Sequence, residues 1–223
     1  MTAAPAAPAA PAALPGRKAQ AARNDALILD AARTVFLRDP SAPIAAVASE
    51  AGVGISALYR RYASKEAMLA SLCAEGLDRY IAAAERTLAS GADPWQGFVA
   101  FITEIVDEDV HALTVRLAGS FTPTQELGAL AERAISLGSE VFDRAHDSGA
   151  LRPGLVANDV AMILEQATAI RVRDAERTIV LRRRYLALQL EAMRARRPRG
   201  GPPPLPGPPP TDAELGERWV PRA

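Results

Sequence analysis

The stretch Pro43 to Lys65, PIAAVASEAGVGISALYRRYASK, decides how this chain is read. It divides into a short helix, a tight turn at Ala51-Gly52-Val53, a second short helix and the capped start of a third. Pro43 suits a first helical position, where no backbone N–H is needed, and Ile44, Val47, Ala48 and Ala51 then recur at i, i+3, i+4 and i+7. One face of that helix is therefore buried. Gly52 allows a sharp change of direction, Val53 plugs the angle between the helices, and Leu58 with Tyr62 continue the apolar face at i, i+4. The opposite face carries Ile55, Ser56, Tyr59 and Arg60. Two short helices joined at a glycine turn, the second with a free polar face, form the layout of a helix-turn-helix that sets a helix in the major groove of DNA.

Working outward, a first helix is expected from about Gln20 to Leu37, with Ile28, Ala31, Ala32, Val35 and Phe36 on its inner side and Asp39-Pro40-Ser41 ending it. Ser64 caps the next helix, which carries Met68, Leu72 and Cys73 inward and ends near Ser90-Gly91. Asp93-Pro94 is a cap followed by a first-turn proline, opening a helix through Trp95, Phe98, Ile102 and Val106. A short apolar segment runs from Leu113 to Leu117, and Thr122-Pro123 starts a longer helix to about His146. Asn158 or Asp159 begins a helix to about Ile170, and a final one spans Ala175 to Arg196. No strand period or internal repeat is visible, so the expected fold class is all-α, a three-helix DNA-binding domain followed by a helical bundle. The expected divisions are an Ala/Pro-rich disordered arm over 1–19, the helix-turn-helix domain over 20–66, a regulatory and dimerisation domain over 67–198, and a Pro-rich tail over 199–223. Within that tail Thr211 and Glu214 have capping-box spacing, and Leu215 with Trp219 could clip onto the body.

The last helix is apolar on two sides. Leu181, Tyr185, Leu188 and Ala192 make one stripe and Leu186, Leu190 and Met193 another. Both need cover, and a second subunit can supply one.

Charge is distributed unevenly although it sums to zero. From Arg17 to Lys65 eight basic residues face four acidic ones; from Glu66 to Glu176 eight face eighteen; from Arg177 to Arg199 eight arginines face Glu191 alone. A basic N-terminal unit suits phosphates, and the acidic middle should turn away from them. No run approaches the roughly 18 apolar residues of a membrane span, and the opening segment has its charges after the small-residue run, unlike a secretory signal, so a cytoplasmic location without membrane contact is expected. The single cysteine, Cys73, sits in an apolar helical pattern and reads as a packed thiol.

The segment AGVGISALYRRYASKEAML resembles the signature of TetR-type (tetracycline-repressor family) transcriptional regulators, in which a glycine turn leads to a recognition helix ending in Leu-Tyr-x-x-aromatic, then a small residue, Ser-Lys-Glu and an apolar pair. The likeness extends from about Arg23 to Leu72. It implies a homodimer on a palindromic double-stranded operator, pairing through the last two main helices of each subunit, with an effector pocket among the helices from about Ser64 to His146. The matching tyrosine of the family contacts phosphate, which assigns that role to Tyr59; Lys65, at a helix start, can hold the same strand.

Arg60 shares a face with Ser56 and can read guanine or grip a phosphate, while Arg61 stands at the edge. The remaining candidate contacts are Ser41, Gly54, Ile55 and Ala57. Here the chain departs from the family pattern. Gly54 and Ala57 stand where hydroxyls are usual, and Ala42-Pro43 replaces a customary pair of threonines, so phosphate gripping should lean on Arg60, Arg61, Lys65 and the arm residues Arg17, Lys18 and Arg23.

For the effector, Trp95, Phe98, Phe101 and Phe121 supply aromatic surface, and Arg116 is a charge within an apolar run, suited to an anionic or polar ligand. Glu165 is a second such charge. Asp107, Asp109 and His111 alternate on a helix, which points them apart, so no metal site is expected, nor any cofactor. The expected function is a DNA-binding regulator, a homodimeric repressor released by a small molecule. The alternatives are an effector-independent regulator or activator, or an all-helical enzyme, against which the absence of a convergent catalytic set argues.

Overall fold

The structure is a computed structural model, and it describes residues 15–195 and 205–216, with the side chains of 15–24, Val110, Ala112, Val115 and Arg116 left aside. The helices are α1 (Pro15–Arg38), α2 (Ile44–Ala51), α3 (Ile55–Arg61), α4 (Lys65–Ala89), α5 (Pro94–Asp107), α6 (Val110–Leu117), α7 (Gln125–Asp147), α8 (Ala157–Ala169), α9 (Ala175–Met193) and the short α10 (Asp212–Gly216). The all-α expectation holds.

Side-chain caps set the starts of α4, α5, α7 and α9. Ser64 accepts from Ala67 N–H at 3.1 Å, Asp93 from Gln96 N–H at 3.1 Å, Thr124 from Leu127 N–H at 3.2 Å and Asp174 from Arg177 N–H at 2.9 Å. Thr124 corrects one expected boundary: α7 begins at Gln125, because the hydroxyl that can cap it lies after Thr122-Pro123. α1 is also longer than expected, starting at Pro15, so residues 15–19 of the supposed arm are helical; proline at a first position followed by good helix formers accounts for it. Residues 1–14 lie outside the described residues.

The last long helix stops short of Arg196. Arg152 N–H donates to Met193 O at 2.8 Å and Ala195 N–H to Ala150 O at 2.7 Å, so the chain leaves α9 as an extended segment bridged to Leu151. Arg194 then lies over the Trp95 ring at 5.5 Å. Of the two stripes on α9, Leu186, Leu190 and Met193 are buried, while Tyr185, Leu188 and Ala192 face solvent.

Two apolar cores result. The first joins Ile28, Phe36, Val47, Leu58, Met68 and Leu72 to Leu113, Leu117, Phe121 and Leu127. The second gathers Trp95, Phe98, Phe101, Ile105, Phe142, Leu164, Leu186 and Leu190. α4 feeds both, with Met68 to Cys73 in one and Ala83 and Ala84 in the other, so packing does not break at residue 66, and α6 closes the underside of the N-terminal unit. Burial pushes the Cys73 thiol up to about 12, which leaves it an inert packed group at neutral pH.

α4 and α7 approach each other at Gly138, where a Cβ would stand 2.3 Å from the Tyr80 hydroxyl oxygen. Tyr80 cannot easily yield, because its ring meets Phe101 edge-on at 5.1 Å. Gly138→Ala is therefore expected to destabilise by about 1–3 kcal/mol through overpacking, with part of the loss recovered when Tyr80→Phe removes the hydroxyl. Urea denaturation of the two single variants and the double variant measures it; purely additive losses would contradict the contact.

The α5–α6 junction is held from α9. Asp109, at φ 54, takes the Arg182 guanidinium at 2.6 Å and Arg171 at 3.4 Å. Arg182 is only 4% exposed and also donates to Ile170 O at 3.1 Å and Thr168 O at 3.3 Å. Arg183 meets Asp107 through two bonds of 2.7 and 2.8 Å. The alternating aspartates thus serve as anchors for neighbouring arginines. In the tail, Thr211 and Glu214 form the expected capping box, and Asn158 Nδ2 donates to Pro210 O at 3.0 Å and Asp212 Oδ1 at 2.8 Å, fastening α10 to the start of α8. Trp219 lies outside the described residues.

Candidate nucleic-acid interface

Gly52 adopts φ 66 and, as the C-cap of α2, donates its N–H back to Ser49 O at 3.3 Å, while Val53 N–H reaches Ala48 O at 3.0 Å. This left-handed turn, open to glycine at little cost, redirects the chain so that α3 crosses α2. Leu58 fixes the roll of α3. It is fully buried in the first core, which leaves Ile55, Ser56, Tyr59 and Arg60 pointing outward, Tyr59 with 52% of its surface exposed. Tyr62, three residues on, meets the opposite fate and is packed inside, where burial pushes its phenol pKa up. One turn of helix therefore separates a structural tyrosine from an available one.

Gly54 is the N-cap of α3 and, lacking a side chain, provides no capping hydroxyl; Ala57 behind it is half-buried. Lys65 is the first residue of α4, and its ammonium sits 5.4 Å from the centre of the Phe36 ring. That contact with a core aromatic holds the cation at the mouth of the helix without neutralising it.

Two candidates are already engaged. Arg61 pairs with Asp25 of α1 at 3.0 Å and lies over the Tyr62 ring at 5.7 Å, although more than half of its side chain remains exposed. Ser41 donates both its N–H, at 2.8 Å, and its hydroxyl, at 2.6 Å, to Asp39, and these bonds lower the Asp39 pKa. Ser41 as it stands offers its proton to a carboxylate. An acidic residue two positions before a serine is a signature of such turns, so this partner was visible in the sequence. Asp25, thirty-six residues from Arg61, was not.

The four aromatics expected around an effector are split. Trp95, Phe98 and Phe101 share the second core, with Trp95 and Phe98 at 6.0 Å and Phe98 and Phe142 at 6.4 Å, whereas Phe121 packs in the first. As packed, these rings fill space. The Arg116 side chain lies outside the described residues. Between α5, α6, α8 and α9, a shallow crevice lined by Ile105, Val106, His111, Leu164, Thr168 and the Asp109–Arg182 pair among others leaves no room even for a water molecule.

Residues 28–72, from the middle of α1 into α4, match the family described as bacterial regulatory proteins, tetR family. Three solved structures share the fold at low identity. The ketosteroid transcriptional regulator KstR2 of Mycobacterium tuberculosis is 20% identical, with a TM-score of 0.58 over 78% of this chain and 96% of that one. The TetR-like regulator LfrR of Mycobacterium smegmatis, solved in complex with proflavine, is 23% identical, with a TM-score of 0.56 over 74% and 95%. The TetR family regulator PfmR of Thermus thermophilus is 23% identical, with a TM-score of 0.53 over 74% and 97%. No curated protein is significantly similar.

Proposed function

We propose, from the premise that this chain is a TetR-type DNA-binding transcriptional regulator, that it acts as a homodimeric repressor which holds a palindromic operator through α3 and leaves it when a small molecule binds the helical domain. The observation that supports it most is the outward face of α3, where Ser56, Tyr59 and Arg60 stand in solvent opposite fully buried Leu58. A polar face locked in roll by a core leucine can enter a major groove without rearranging the fold.

The roles follow from chemistry. Tyr59 donates its phenol to a phosphate, and Lys65 with the first amides of α4 holds the same strand. Arg60 reaches base edges or phosphate, and Ile55, Ser56, Gly54 and Ala57 lie where the helix backbone comes closest to the bases. Arg61 joins only as a phosphate competes with Asp25 for its guanidinium. Ser41 is the weakest member, since its proton is turned to Asp39. An effector is supported by fold likeness to LfrR, which was solved with proflavine. Trp95, Phe98 and Phe101, together with Arg116, remain the residues proposed to meet it, and the three rings must part for a ligand to enter. Phe121 stays with the first core.

Lys65→Ala and Tyr59→Phe are expected to weaken binding almost uniformly across operator variants, and Lys65→Ala to lower the slope of log affinity against log salt by about one unit. Anisotropy titrations at several salt concentrations read both. An unchanged slope removes Lys65 from the interface.

A further inference from the structure

Two neighbouring arginines end α3 in different states. Arg60 is exposed and in no ion pair among the described residues, whereas Arg61 donates through Nε to Asp25 of α1 at 3.0 Å. Asp25 lies one turn before buried Ile28, which brings its carboxylate to the rim of the first core, beside the last turn of α3.

The pair does little for the fold. The Arg61 and Asp25 side chains keep 56% and 33% of their surface in solvent, a setting in which an ion pair adds little stability. Nor is the contact closed, since only Nε is engaged and the two terminal nitrogens carry no hydrogen bond among the described residues. The ring of buried Tyr62, its centre 5.7 Å from the guanidinium carbon, supports the cation from the core side.

A carboxylate and a backbone phosphate are alternative partners for one guanidinium, both anionic and both able to accept two of its N–H groups. Asp25 therefore takes the place that a phosphate at the edge of the α3 face would fill. For Arg61 to hold that phosphate its bond to Asp25 must open, and the freed carboxylate is then left beside the DNA backbone, where like charges repel. The exchange replaces one anion by another and gains little.

We infer that Asp25 is an internal stand-in for a backbone phosphate, which withholds Arg61 from DNA and so lowers the affinity of the α3 face for any duplex. This rests on the assignment of α3 as the reading helix and adds to it a residue of α1 that works against binding. Because phosphate contacts carry no base information, Asp25 sets the strength of binding and leaves the choice of sequence to Ser56 and Arg60.

Anisotropy titrations of the full chain on a labelled duplex of arbitrary sequence, at several salt concentrations, test it. Asp25→Asn should tighten binding close to tenfold at about 0.1 M salt and steepen the slope of log affinity against log salt by about 0.9, the increment of one further engaged cation. Asp25→Ser should reproduce the gain, which separates loss of charge from any new bond made by the amide. Arg61→Ala alone should change affinity by less than about twofold, since that cation is already withheld. With Arg61 absent, Asp25→Asn should lose most of its gain, because nothing remains to be released. A gain that persists without Arg61 reduces Asp25 to general charge repulsion and overturns the inference. Weaker binding by Asp25→Asn also overturns it, making the acid a positioning residue that aims Arg61 at DNA. Duplex binding that both Asp25 variants leave unchanged overturns this inference and leaves the reading of α3 standing; a wild type with no salt-dependent duplex binding overturns both.

Discussion

With Tyr185 and Leu188 both replaced by Asp, the chain is expected to run as a folded monomer, its self-affinity lowered by at least about four orders of magnitude. In a single copy the two side chains are 49% and 60% exposed, so the fold itself should hardly register the change. In the dimer each would lose about 1.5 kcal/mol or more of apolar burial, and the two-fold doubles that loss to about 6 kcal/mol. Carboxylates facing one another across the seam add to it. Operator affinity should fall in parallel, because two recognition helices no longer arrive as one rigid unit. Sedimentation together with far-UV circular dichroism measures both halves of the expectation. A persistent dimer would move the interface off α9.

Asp109→Asn should cost about 3 kcal/mol of stability, a large share of what a typical domain has. The reason is the burial of Arg182, which with 4% exposure cannot recover the lost partner from water. Asparagine is the informative replacement: it tolerates the left-handed backbone at φ 54, so the change isolates charge from strain. Asp107→Asn is the control. Its partner Arg183 keeps 59% of its side chain in solvent, and the expected loss is much the smaller of the two. Urea midpoints distinguish the two. Equal losses would mean that water reaches Arg182 after all.

These two sites also show what a sequence does and does not disclose. The helix-turn-helix was legible because its signals are local: a glycine with positive φ, an apolar period on either side of it, and a serine cap on the following helix all fall within twenty-three residues. The exposed polar face of α3 followed from the same period once Leu58 was placed inside. α9 was legible as two apolar stripes but not as to which one the body would claim, since that choice depends on helices far away in the chain. Arg182 was missed for a related reason. It lies four and eight residues before Leu186 and Leu190, so the spacing alone put a charge on the stripe that turned out buried, but its partner Asp109 is seventy-three residues distant. The division of the four aromatics was not legible, because Phe121, close to Arg116 in sequence, follows α6 into the N-terminal core rather than joining Trp95, Phe98 and Phe101.

Selection of bound sequences from a pool of random DNA duplexes tests the central claim most directly, because the protein itself picks its site from the pool. The expected result is one enriched sequence with approximate two-fold symmetry, its half-sites about 34–36 Å apart or a multiple of that along one side of the duplex, with enrichment lost when Tyr59 and Lys65 are both replaced by Ala. Recovery of no enriched sequence, or of one that the double variant binds equally well, would contradict the assignment of α3 as the reading helix.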